Sequence, residues 1–178
     1  WEQDRTKERL LDKPIIWIDD VAPYVEDSLA ICSIGSTKRK GFVEQAQAKG
    51  LRFATIMHPS ARLSRQSSLG DGGFMSVNAI VAAHTAIGKH VIINRGASVG
   101  HHGQVGNYVT ISPSVTIGGA TNIKDQAYIG MGAIILERIT IGRNAIVGSG
   151  SVVTKDVPDN TLVMGIPARV VKENINGK

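Results

Sequence analysis

From Leu63 to Val153 every sixth residue is aliphatic: sixteen positions in a row, with no insertion to break the count. The residue two places before each is nearly always small or β-branched, as at Ala79, Thr85, Val91, Ala97 and Gly103, and the residue after it is often glycine. A helix repeats at 3.6 residues and a plain strand at 2, so neither produces a strict period of six over ninety residues. A six-residue strand-and-turn unit does. Each unit points one aliphatic and one small side chain inward and then turns a corner. Three units close a triangular coil, and stacked coils bury one continuous aliphatic core. Fifteen intervals at three per coil predict about five coils.

Ahead of residue 58 the pattern is different. Residues 14–18 (PIIWI), 28–35 (SLAICSIG) and 52–57 (RFATIM) are apolar runs of strand length. Between them Asp19–Asp20 offers a cap for a short helix, and residues 37–49 form a second helix that Gly50 ends. Alternating strands and helices predict a parallel α/β sheet of Rossmann type, preceding the coils. The Gly35–Ser36 turn puts free backbone N–H groups at a helix N-terminus, where a phosphate binds readily; an ordinary capped turn looks the same. The predicted organisation is therefore mainly β: a partial Rossmann-like unit over residues 1–58, a parallel β-helix over 59–157 and a closing segment over 158–178. The chain opens mid-pattern on WEQDRTKERL, without a Met, which leads one to expect a segment upstream.

Composition narrows the class. Aromatics are 4% of 178 residues, so the core is aliphatic. Cys32 is the one cysteine, which leaves no disulfide framework and suggests a buried thiol. No apolar run is long enough for a bilayer, and no signal segment opens the sequence, so a cytoplasmic protein is expected. The net charge is +5, and all of the excess lies after residue 60, where eleven Lys and Arg face six Asp and Glu. That balance fits an anionic ligand as well as a solvated surface. Scattered basic residues and few aromatics argue against nucleic acid.

The adjacent pair His101–His102 sits between glycines in VGHHGQVG. Residues eighteen apart stack in a triangular coil, so His101 falls over Ala83 and under Gly119, and His102 over His84 and under Ala120. The inward positions here are Val99 and Gly103, so both imidazoles point outward or lie at a corner. A zinc site needs three converging ligands; His84, His101 and His102 are candidates, but adjacent side chains diverge, and no metal is expected. A neutral imidazole instead suits proton abstraction from an attacking amine or hydroxyl. A bare Gly119 N–H beside it suits the oxyanion of a thioester under attack.

The segment INRGASVGHHGQVGNYVTISPSVTIGGATNI resembles the active-site coil of the hexapeptide-repeat acetyltransferases that modify sialic acids and nucleotide sugars, the bacillosamine and perosamine N-acetyltransferases among them. Residues 36–61 are similar to the join between their sugar domain and β-helix, and residues 148–171 resemble the closing motif of the wider superfamily. The resemblance implies a left-handed β-helix, a hand that the general right-handed crossover rule does not supply. It implies His101 as general base. The next residue in the family is usually Asp or Glu, whereas here it is His102. A second family histidine that touches the acetyl donor is replaced by Thr110, and Asn94 matches an asparagine near the sugar.

The resemblance further implies acetyl-CoA as donor, with its pantetheine arm near Gly119, Met131 and Ser149 and its phosphates near Lys155, Pro167 and Arg169. The acceptor is a nucleotide-linked amino sugar, approached by Gly35 and Ser36. The family's Gly-rich phosphate turn lies upstream of the first residues of this chain. The family also implies a homotrimer with sites shared between subunits. Sugar O-acetylation, a silent β-helix assembly and a zinc hydratase stand as alternatives to N-acetylation.

Overall fold

The computed structural model describes residues 8–178. Two-residue strands recur every six residues, from Ile56–Met57 to Val152–Val153, and stack into three parallel sheets. In order along each coil these are face 1, which includes Phe74–Met75, Ile92–Ile93 and Thr110–Ile111; face 2, which includes Ile80–Val81, Ser98–Val99 and Thr116–Ile117; and face 3, which includes Ala86–Ile87, Gln104–Val105 and Asn122–Ile123. Every parallel pair on these faces from residue 56 to 153 is offset by eighteen, for example Ser98 with Thr116 and Ala86 with Gln104. The strict six-residue period therefore becomes vertical registry.

The inward residues make one core. Fourteen of the sixteen counted aliphatics, Met75 to Val153, are buried in it, and Leu63 and Leu69 pack against its open end. The small positions are buried beside them, as at Ala79, Ala97, Val115 and Ala133. At the corners the second turn residue takes a left-handed backbone: φ lies between 54° and 60° at Asn78, His84, His102, Ala120 and Asn144, and glycine holds the equivalent places at Gly72, Gly96, Gly132 and Gly150. That conformation crowds a Cβ, which favours glycine and asparagine there.

The solenoid has about six turns, against the five expected. The count from Leu63 leaves out one unit before it and two after Val153. Met57 continues the period backward, but it is 44% exposed. Beyond Val153 a shortened unit brings in Val157 and then Val163, both buried. Leu162–Gly165 pairs with Ile146–Val147, and the antiparallel strand Ala168–Lys172 closes face 1.

The N-terminal region is smaller than predicted. Among the described residues it holds one α-helix, α1, Arg39–Ala48, between the parallel pair Leu29–Ala30 and Arg52–Phe53. One βαβ unit does not establish a Rossmann-like domain. The expected strand over 14–18 is instead a two-residue arm, Lys13–Pro14, paired antiparallel with Arg9–Leu10. Ile18–Asp20 and Ala22–Tyr24 are two short 3₁₀ turns rather than a helix. The run 52–57 divides, and its second half joins the solenoid. Cys32 is half-buried and free. No described helix is long and apolar enough to cross a membrane.

Candidate active site

His101 and His102 form the corner between faces 2 and 3, after Ser98–Val99 and before Gln104–Val105. Both are exposed, while Val99 and Gly103 point inward and are buried. The stacking is as the register requires. His102 N–H donates to Ala83 O at 2.9 Å, and Ala120 N–H donates to His101 O at 2.7 Å. One coil further on, Arg138 N–H donates to Gly119 O at 2.9 Å. The column at this corner is therefore Ala83, His101, Gly119 and Glu137, with Lys155 two residues beyond the pair Ile135 and Val153.

Gly119 lies directly against the imidazole of His101. A Cβ on Gly119 would stand 2.7 Å from His101 Cε1 and 2.8 Å from Nε2, closer than real Cβ contacts allow. The bare glycine thus leaves room for the ring and opens a slot beside Nε2. Among the described residues the Gly119 N–H donates to no protein acceptor. A lone-pair nitrogen and an uncommitted N–H are brought together at one corner.

The Nδ1 atoms of His101 and His102 are 2.9 Å apart, with the rings at 88°. The ring of His84, one coil below, lies 4.8 Å from that of His102 and is tilted by 40°. Among the described residues no carboxylate pairs with either His101 or His102, so no acid from elsewhere in the described chain replaces the acidic neighbour usual in the family. Nor do three His, Cys, Asp or Glu side chains converge on a metal position.

The remaining expected residues fall in three places. Asn94, Met131 and Ser149 lie at the corner between faces 1 and 2, where Gly150 N–H donates to Met131 O at 2.8 Å. Asn94 Nδ2 donates to Ile111 O at 3.1 Å. Pro167 and Arg169 are exposed at the closing hairpin, with Arg169 bonded to Ala168 O at 2.8 Å. Thr110 is on neither corner. It is a buried strand residue of face 1 whose hydroxyl donates to Gly35 O at 3.0 Å and accepts from Arg39 Nη1 at 2.7 Å.

The Gly35–Ser36 turn does precede a helix, and Lys178 occupies part of it. Lys178 O accepts from Ser36 Oγ, from Thr37 Oγ1 at 3.1 Å and from Lys38 N–H at 3.3 Å. Lys178 N–H returns a bond to Thr37 Oγ1 at 3.2 Å, and its ammonium sits 4.0 Å from the Tyr128 ring centre.

The sequence reading missed the joint behind this turn. Arg39 is fully buried, and burial lowers its pKa to about 10. Its guanidinium reaches His90 O at 2.7 Å, Val109 O at 2.9 Å, Thr110 Oγ1 and Ser36 O. His90 is buried beside it, stacked on Tyr108 and meeting the edge of Phe53, with Nδ1 unbonded. A signal was available: Arg39, Val43 and Ala46 fall on one helical face, and all three are buried.

The family described as bacterial transferase hexapeptide (six repeats) matches residues 120–155. No curated protein sequence matches the chain. Among solved structures, PerB from Caulobacter crescentus, in complex with CoA and GDP-perosamine, is 30% identical at a TM-score of 0.87, over 93% of this chain and 82% of that one. The acetyltransferase domain of PglB from Neisseria gonorrhoeae, in complex with acetyl coenzyme A, is 29% identical at a TM-score of 0.86, over 94% and 83%. WeeI from Acinetobacter baumannii is 27% identical at a TM-score of 0.82, over 92% and 80%. With a hexapeptide solenoid and this likeness over most of both chains, the protein belongs to the left-handed β-helix nucleotide-sugar N-acetyltransferases.

Proposed function

We propose that the chain moves acetyl from acetyl-CoA to the amino group of a nucleotide-linked amino sugar, with His101 as general base. The observation that carries the reading is the imidazole of His101 packed under a bare Gly119 whose N–H is uncommitted. The neutral amine attacks the thioester carbonyl. His101 Nε2 takes the proton as the C–N bond forms, and Gly119 N–H faces the oxygen that gains charge. The C–S bond then breaks, and Nε2 returns the proton to the CoA sulfur. The amide product and free CoA balance the reaction.

The remaining residues suit a site built between copies. Face 2 is edged by both functional corners, with His101, Gly119 and Lys155 at one and Asn94, Met131 and Ser149 at the other. Its outward side carries Ile80 and Ile134, which are 47% and 42% exposed. Packing of three copies beside this face covers apolar surface and brings one copy's His101 corner toward another's Met131 corner. The CoA phosphates then meet Lys155 and Arg169, with Pro167 shaping the hairpin between them. Thr110, which lies off both corners and is bonded on two sides, acts through the joint to α1 rather than on the acetyl group.

The acceptor's nucleotide is assigned to the βαβ unit of Leu29–Ala30, α1 and Arg52–Phe53. If its phosphates use the Gly35–Ser36 turn, they compete with Lys178 O. A variant lacking residues 176–178 is then expected to bind the sugar nucleotide several-fold more tightly by calorimetry. Equal affinity would place the phosphates elsewhere. Acetyl-CoA and sugar nucleotides as substrates are consistent with a cytoplasmic location.

The deciding assay is thiol release from acetyl-CoA across a panel of amino-sugar nucleotides and their hydroxyl counterparts. Release that needs the amine supports N-acetylation. Release with the hydroxyl sugars instead would mean O-acetylation, and binding of acetyl-CoA without release would mean a silent assembly.

A further inference from the structure

We infer that His102 is a positioning residue that works as an uncharged hydrogen-bond acceptor and fixes the tautomer of His101, in place of the acid usual beside that base. The inference rests on the transferase reading for its catalytic meaning, but the hydrogen bond stands on geometry alone.

The 2.9 Å contact joins Nδ1 of one ring to Nδ1 of the other. A neutral imidazole has one N–H donor and one lone pair. Two lone pairs cannot face each other at that distance, and two N–H groups cannot either. One proton therefore lies between the rings. Whichever ring supplies it has a bare Nε2, and the other ring carries its proton on Nε2. In the neutral pair one Nε2, and only one, is a base.

The surroundings choose which. His101 Nε2 lies against the Gly119 slot, 2.8 Å from where a Cβ would be, while His102 packs its ring against His84. A base is useful only at the slot, so His101 donates from Nδ1 and His102 accepts. When His101 takes the amine proton it becomes an imidazolium whose Nδ1–H still has an acceptor. His102 provides this without a charge, since no carboxylate of the described residues pairs with either ring. A donor-only side chain at 102 would do the opposite, leaving His101 as the Nε2–H tautomer with no lone pair in the slot.

The test compares His102→Gln, which keeps an acceptor, with His102→Lys, which has only donors. The position is exposed with φ 56°, so the two unbranched replacements bear the same backbone cost. The Gln variant is expected to lose less than tenfold in kcat, and the Lys variant about a hundredfold, within the usual contribution of a general base. KM for both substrates should stay within about twofold. Losses that are equal in the two variants would overturn the inference, because a merely structural role does not tell acceptor from donor. Independently of turnover, long-range ¹⁵N–¹H spectra of the histidine side chains should show His101 protonated at Nδ1 and His102 at Nε2. The chain has five histidines, so single variants assign them. The reverse pattern overturns the inference. The expected tautomers in a protein that releases no thiol would support the hydrogen bond and count against acetyl transfer instead.

Discussion

His101→Ala is expected to lower kcat for acetyl transfer about a thousandfold, inside the range of 10² to 10⁴ that a positioned general base contributes. The amine of the acceptor must shed a proton as it attacks, and the three atoms nearest to where a Gly119 Cβ would stand all belong to the His101 ring. The loss should fall on kcat, with KM for acetyl-CoA within a few-fold, because the donor's long arm is held elsewhere. Stability should hardly move. His101 is exposed and its backbone bonds do not depend on the ring, so a change within about 0.5 kcal/mol is expected by denaturant melt. Steady-state thiol release beside the melt decides the matter. Unchanged turnover removes the base assignment, and a large fall in stability would mean the ring props the corner rather than reacting there.

What could be read before the structure follows from periodicity. A six-residue repeat that becomes an eighteen-residue vertical register carries both fold and position. Hence His101 was placed under Gly119 and His102 over His84 with no coordinates, and both placements hold. Periodicity failed where it ended. The four-residue step from Val153 to Val157 broke the period, Met57 and Val163 lay outside the count, and the coils were one too few. The segments before α1 failed for a different reason. A run such as PIIWI is strand-like only if a partner pairs with it, and pairing is not a local property. Thr110 shows the limit for site residues. Its family position suggests the acetyl donor, but its bonds to Gly35 and Arg39 depend on how α1 docks, which no repeat encodes.

That docking makes a second, larger structural prediction. Arg39→Met should cost about 3 kcal/mol and release α1 from the solenoid, while the coils stay folded. Arg39 is buried with no carboxylate partner among the described residues, and its charge is held by neutral oxygens: two bonds to His90 O and one each to Val109 O, Thr110 Oγ1 and Ser36 O. Methionine fills much of the volume but donates nothing. Val109 O keeps its bond from Ile92 N–H, and Thr110 keeps Gly35 O, but the described structure shows no other donor to His90 O. One orphaned buried carbonyl costs about 1–3 kcal/mol, and the lost charge-assisted bonds add to it. Arg39→Lys should rescue little, since one ammonium cannot span the four acceptors. Stacked coils contact only their neighbours, so the damage should remain local. Hydrogen exchange is the measurement: amides of residues 29–53 should lose protection, and those of residues 110–147 should keep it. Acid should loosen the same joint. The pKa of His90 is lowered from 6.5, first by burial and then by Arg39 and Lys89, against the opposing Asp71. Below pH 6.5 the unfolded chain therefore binds a proton that the folded joint resists. The stability it contributes is complete above 6.5 and is lost as the pH falls from there through the lower folded value. Protection of residues 29–53 should fall as the pH is lowered below 6.5 in the native protein. His90→Phe, which keeps the stack on Tyr108 without a titrating group, should remove that dependence.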